Sequence, residues 1–155
     1  MTDKTVEEKI RILCEETARE QGYLVIEFRI RKMKLHYSVE LFIDKKDDLT
    51  LDNCADLSRL IGQKLEVEDP GLENFRLEIS SPGVSRNLIY LDQYYKHIGR
   101  TFELTYKDAA GEEIKWKAAL SRIENEQPVF KTAKGAELSI PFQSIVSAKV
   151  LVSFS

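Results

Sequence analysis

Cysteine, proline, glycine and histidine are all scarce in this sequence. The two cysteines, Cys14 and Cys54, each lie in a segment with helical apolar spacing, and no Cys-x-x-Cys pair accompanies them. That excludes a disulfide framework or a zinc ribbon and reads as two buried, reduced thiols. Four prolines and seven glycines in 155 residues exclude a collagenous or low-complexity chain. No apolar run approaches the roughly 18 residues of a membrane span, and the polar start Met1-Thr2-Asp3-Lys4 has no apolar stretch behind it, so a cytoplasmic protein with no membrane partner is expected. An excess of positive charge is also missing. The formal net charge is −3 and the isoelectric point is near 5.5, whereas a free-standing nucleic-acid domain usually sits above about 9. Residues 1–90 carry 14 Lys and Arg against 18 Asp and Glu, and residues 91–155 carry 9 against 8. Protein partners or a local basic patch are expected in place of bulk affinity for phosphate.

What is present is a foldable chain, 43% hydrophobic and 32% charged, long enough for one ordinary domain or two small ones. Val6, Ile10, Leu13, Cys14 and Ala18 recur at helical spacing, with Thr5 and Glu8 as a possible capping box and Gly22 as a stop. The period then changes to two. Leu24, Ile26, Phe28 and Ile30 share one face of a strand and Val25, Glu27, Arg29 and Arg31 the other. After Lys32-Met33-Lys34, a second run places Leu35, Tyr37, Val39, Leu41 and Ile43 against His36, Ser38, Glu40 and Asp44; so short a link predicts an antiparallel hairpin. Thr50 or Asp52 then caps a helix carrying Cys54, Leu57, Leu60, Ile61 and Leu65, which stops before Asp69-Pro70-Gly71. Phe75, Leu77 and Ile79 form a third strand that breaks at Ser80-Ser81-Pro82-Gly83. The order α-β-β-α-β predicts a two-layer sandwich over residues 1–90, with one sheet face apolar and the other polar.

Beyond a short segment from Leu91 to Ile98 the pattern becomes all-β. Five short runs follow: Phe102, Leu104 and Tyr106; Ile114, Trp116, Ala118 and Leu120; Val129 with Lys131; Leu138 with Ile140; and Val146, Ala148, Val150 and Val152. Turn residues at 108–111, 124–128 and 134–135 separate them. This spacing predicts a small SH3-like β-barrel over residues 91–155, and the fold class is α+β.

Catalytic constellations are missing. His36 and His97 belong to no metal-binding spacing, and no Gly-x-Ser-x-Gly elbow or phosphate-binding glycine loop occurs. Asp44, Asp47, Asp48 and Asp52 lack the central Gly and closing Glu of a calcium loop. No cofactor, metal or small-molecule substrate is expected. The basic residues that could meet phosphate are Arg29, Arg31, Lys32 and Lys34 at the first hairpin, and Lys115 and Lys117, with Lys131, in the barrel. Lys115 and Lys117 flank Trp116 and share the opposite face from it.

Leu77-Glu78-Ile79-Ser80-Ser81-Pro82-Gly83-Val84-Ser85-Arg86-Asn87-Leu88 resembles the signature of the bacterial ribosome maturation factor RimP family. Gly22-Tyr23-Leu24-Val25, Phe42-Ile43-Asp44, Leu51-Asp52-Asn53-Cys54-Ala55-Asp56-Leu57-Ser58 and Leu65-Glu66-Val67-Glu68-Asp69-Pro70 are similar to that family in order and spacing. Ser85 stands where the family usually has Asp, and Asn87 where it usually has Pro. The resemblance implies an α/β domain followed by an SH3-like domain. It also implies a non-catalytic assembly factor that binds the immature small ribosomal subunit, including its ribosomal RNA and a ribosomal protein near the decoding region. Ser80, Ser81, Pro82, Gly83 and Arg86 then become candidate contacts, with Arg86 offering a charge-assisted fork; the same residues also suit a turn that orients two domains. Two alternatives of other classes are a ribosome-independent module binding a protein or peptide through the barrel, and a metal-dependent RNA-processing enzyme using Asp44, Asp47 and Asp48.

Overall fold

The computed structural model describes residues 3–68, 74–83 and 86–151, which form two compact units, Met1–Pro82 and Gly83–Ser155. The first has the expected order: α1 (Asp3–Glu20), β1 (Leu24–Lys32), β2 (Tyr37–Asp44), α2 (Leu51–Glu68) and β3 (Phe75–Ser80). Helix α1 runs through Thr5 and Glu8, so that pair does not mark its start. It ends at Gly22, whose φ of +88° lets its N–H reach the Arg19 carbonyl at 2.9 Å while Tyr23 N–H reaches Ala18 at 3.0 Å. Helix α2 is capped by Thr50, whose hydroxyl accepts the Asn53 N–H at 3.1 Å while the Asn53 side chain accepts the Thr50 N–H at 2.9 Å. The expected Asp69-Pro70-Gly71 stop lies outside the described residues.

The three strands lie in the order β1-β2-β3, with β1 antiparallel and β3 parallel to the central β2. Both helices cover one face. Ile10, Cys14 and Ala18 of α1 and Leu57, Ile61 and Leu65 of α2 bury against Val39, Leu41 and Ile43, with Phe28, Ile30, Phe75, Leu77 and Ile79 packed around them. Each aliphatic side chain so buried contributes about 1.5–3 kcal/mol. Lys64 of α2 pairs with Glu20 of α1 at 3.2 Å.

Strict alternation fails in β1. A bulge between Val25 and Glu27 inserts Ile26, so Val25 faces Ile43 in the core before it, and Phe28 faces Leu41 after it. Leu24 and Ile26 therefore do not share the Phe28 face, and Val25 leaves the polar one. Leu35 is not in β2 but exposed in the hairpin loop, as are Met33 and Lys34; His36 precedes the strand, its carbonyl accepting the Met33 N–H at 2.8 Å.

The second unit holds β4 (Thr101–Lys107), β5 (Glu113–Glu124), β6 (Gln127–Lys131), β7 (Glu137–Ser139) and β8 (Ile145–Val150). They form one antiparallel sheet ordered β7-β6-β5-β4-β8, consistent with SH3-like β structure. A bulge between Leu120 and Arg122 sharpens the bend of the long β5, and a two-residue turn at Asn125 and Glu126, both at positive φ, returns the chain into β6. The core gathers Phe102, Leu104, Ala118, Leu120, Phe130, Ile140, Ala148 and Val150 around Tyr94. A bulge opposite Thr105 and Tyr106 skips Val146, so Ile145 packs inward and Val146 stays exposed. Phe130 joins this cluster, Val129 is buried outside it, and Lys131 and Leu138 are exposed. Val152 lies outside the described residues.

Tyr94 is fully buried against Phe102 and Phe142, with ring centroids at 5.5 and 5.8 Å, yet its hydroxyl finds no hydrogen-bond partner among the described residues. An unsatisfied buried polar group costs about 1–3 kcal/mol. Tyr94→Phe is expected to raise the melting temperature of the full chain by a few degrees; a fall of similar size in a thermal melt would show that the hydroxyl is satisfied. Burial pushes the Cys14 thiol up to about 12 and raises Tyr94 and Cys54 as well. Groups whose folded values are raised stabilise fully below their unfolded values and lose that contribution as the pH climbs through the folded ones. Stability is expected to fall above about pH 9, where the unfolded thiols ionise first, and Cys14 should resist a thiol reagent at pH 8 until the protein is denatured. Rapid native labelling at Cys14 would contradict this.

Candidate functional site

The strand register places three cross-strand rows on the face of the first sheet that the helices leave uncovered. Glu27, Phe42 and Ser80 form one row, Arg29, Glu40 and Glu78 the next, and Arg31, Ser38 and Arg76 the third. Side chains at such positions are the nearest neighbours across a sheet. Arg29 is held by its own surroundings: its Nε lies 2.5 Å from Glu27, its guanidinium carbon sits 5.5 Å from the Phe42 ring centroid, and Glu40 stands opposite. Its charge is largely matched inside the face.

The third row differs. Arg31 and Arg76 flank the neutral Ser38 and both are exposed. Two strand spacings separate their backbones, about 10 Å. Lys34 is exposed in the adjoining loop, and among the described residues neither arginine nor Lys34 forms an ion pair. Asn74 ties the start of β3 to the same loop: its carbonyl accepts the Tyr37 N–H at 3.0 Å, and its side-chain amide reaches the Leu35 carbonyl at 3.4 Å. Lys32, paired in register with Tyr37, has the parity of the helix-covered face and is engaged within the chain. The four hairpin cations are thus split, with Arg31 and Lys34 together, Arg29 neutralised, and Lys32 turned the other way. Arg76 was not singled out by the sequence. The signal available was its alternation with Phe75 and Leu77; what could not be read was the parallel pairing that brings it level with Arg31.

At the far end of β3, Ser80 and Ser81 are exposed, Pro82 is half-buried and Gly83 turns the chain with φ +77°. That φ favours glycine, which agrees with the turn role argued from sequence. Arg86 is half-buried and engaged within the chain. Val84 and Ser85 lie outside the described residues.

In the second unit Lys115 and Lys117 are exposed on the outer face of β5. In register they extend to rows Lys115-Thr105-Ser147 and Lys117-Glu103-Lys149, so Lys149 joins a face on which one glutamate sits between two lysines. Trp116 points the other way, half-buried against the core and 6.1 Å from the Tyr106 ring. Arg122, at the bend of β5, pairs with Glu124 at 2.8 Å and Glu137 at 2.7 Å.

The carboxylates after β2 do not converge. Asp44 is buried and accepts the Lys45 N–H at 2.9 Å, Asp47 pairs with Lys45 at 3.3 Å, and Asp48 is exposed. Among the described residues no three His, Cys, Asp or Glu side chains gather as a metal would require, and no helix is long and apolar enough to cross a membrane. The chemistry these surfaces offer is charge and hydrogen bonding.

A comparison with family models matches residues 13–85 to the RimP N-terminal domain. The matched segment spans most of α1, all three strands of the first sheet, the crossover helix α2 and the serine-rich turn after β3. Residues 13–85 therefore carry a RimP N-terminal domain, in agreement with the family resemblance of the sequence motifs.

Proposed function

We propose that this protein is a non-catalytic ribosome maturation factor that acts in the cytoplasm, binding the immature small ribosomal subunit and assisting its assembly. The match of residues 13–85 to the RimP N-terminal domain carries this reading. The surfaces support it in kind: an α/β unit with one sheet face that the helices leave uncovered, and a β unit with exposed lysines, provide docking area. The contacts assigned are the Ser80-Ser81-Pro82-Gly83 turn with Arg86, the hairpin cations Arg31 and Lys34, and Lys115 with Lys117, facing ribosomal RNA or a ribosomal protein near the decoding region; Arg29 and Lys32, engaged within the chain, are left out. Assistance then consists of holding one arrangement of the nascent particle, since binding energy directed at one of two states shifts their populations without making or breaking a bond.

Co-sedimentation of the purified protein with free small subunits, large subunits and joined ribosomes, at low and moderate salt, tests this. Selective pelleting with free small subunits is expected, weakening as salt rises. No pelleting with any particle, or equal pelleting with all three, would overturn the assignment. Arg86→Ala is expected to weaken pelleting several-fold without lowering the unfolding free energy by more than about 1 kcal/mol; undiminished pelleting would return the motif to a purely structural turn.

A further inference from the structure

The uncovered sheet face is divided electrically, and the division selects a ligand. Around Arg29 the face balances its charge with Glu27, Glu40 and Glu78, and its one aromatic ring, Phe42, already lies under the Arg29 guanidinium. A base seeking a stacking surface finds that ring occupied, so this sheet is not arranged as a base-stacking platform. The other end carries Arg31, Arg76 and Lys34, all exposed, with no carboxylate in their row and no ion-pair partner among the described residues. These cations gather on an otherwise acidic segment of chain; the ladder fixes the separation of Arg31 and Arg76, and Lys34 stands in the adjoining loop. Arginines at fixed spacing recognise oxyanions through planar, directional donors.

We infer that Arg31, Arg76 and Lys34 form a phosphate-binding row for folded RNA, which contacts the backbone and reads no bases. This deepens the proposed function and rests on it for the identity of the RNA, since the small subunit would supply the phosphates. Lys34 stands in the hairpin loop off the strand ends beside the row. Met33 and Leu35, both exposed on the same loop, would then lie against the sugar edge of the groove beside the bound phosphates. Glu27, Glu40 and Glu78 repel a backbone that drifts along the face, so the acidic end sets the register of the bound strand.

The test uses the full chain and a fluorescein-labelled RNA stem-loop, with affinity measured across a salt series. Arg31→Gln with Arg76→Gln is expected to weaken binding about tenfold at low salt and to flatten the dependence of log affinity on log salt by about two, one for each lost phosphate contact. Arg19→Gln with Arg59→Gln removes the same charge from exposed, ion-paired positions on the helices of the same unit, and is expected to stay within about twofold of wild type. Equal losses in the two double variants would reduce the effect to net charge and overturn the row, as would an unchanged affinity in the first. The two proposals fail separately. Protein that binds the stem-loop through Arg31 and Arg76 but pellets with no ribosomal particle leaves the row standing and removes the ribosomal reading. Protein that pellets with small subunits while the Arg31 and Arg76 variant binds RNA undiminished does the reverse.

Discussion

The parallel pairing of β3 to β2 is the constraint on which the first unit depends. Two parallel neighbours cannot be joined by a tight turn, so the chain must cross over the sheet between them, and α2 is that crossover. With α1 packed on the same side, both apolar helix stripes are spent on one sheet face and, among the described residues of the unit, no element covers the other. The pairing also sets which residues meet on the open side. Had β3 run antiparallel, or slipped by one residue, Arg76 would stand elsewhere or point into the core, because a one-residue slip reverses every side chain.

Stability and function are therefore divided between the two faces. Val39, Leu41 and Ile43 make the central strand the most buried of the first sheet, and their cost of removal, about 2–5 kcal/mol for a buried Leu or Ile cut to Ala, fixes the ladder in place. The open face contributes little to that sum and is free to hold charge. Arg29 and its carboxylates form a closed electrostatic set, whereas Arg31 and Arg76 keep theirs for a ligand. The second unit follows a similar division, with Tyr94, Phe102 and Phe130 filling one side of a bent sheet while Lys115, Lys117 and Lys149 occupy the other.

Much of this was legible in the sequence. The α-β-β-α-β order, the antiparallel hairpin, the Thr50 cap and the Gly22 stop all follow from local signals, because periodicity, capping and turn chemistry act over a few residues. Alternation misled where a bulge adds a residue, at Ile26 in β1 and at Val146 in β8. Neither bulge carries a glycine or other local mark, so the partner strand alone reveals it. The hairpin cations could be named but not sorted: that Arg29 is matched by Glu27 and Phe42, and Arg31 by no charge, depends on which residues of β2 and β3 stand beside them. Arg76 was missed for the same reason, since strand neighbours far apart in the chain leave no trace in local spacing. The family match covers residues 13–85 and so bears on the first unit; the second was read from period alone.

Directed cleavage of ribosomal RNA tests the central claim most directly. The two native thiols are buried, so a hydroxyl-radical source can be tethered to Leu35→Cys, beside the arginine row, or to Glu16→Cys on the exposed side of α1. If the open sheet face meets the immature small subunit through its RNA backbone, the Leu35 position cuts small-subunit RNA at a confined set of nucleotides and the Glu16 position does not cut there. Cleavage from Glu16 alone, or the same diffuse pattern from both, would contradict the account.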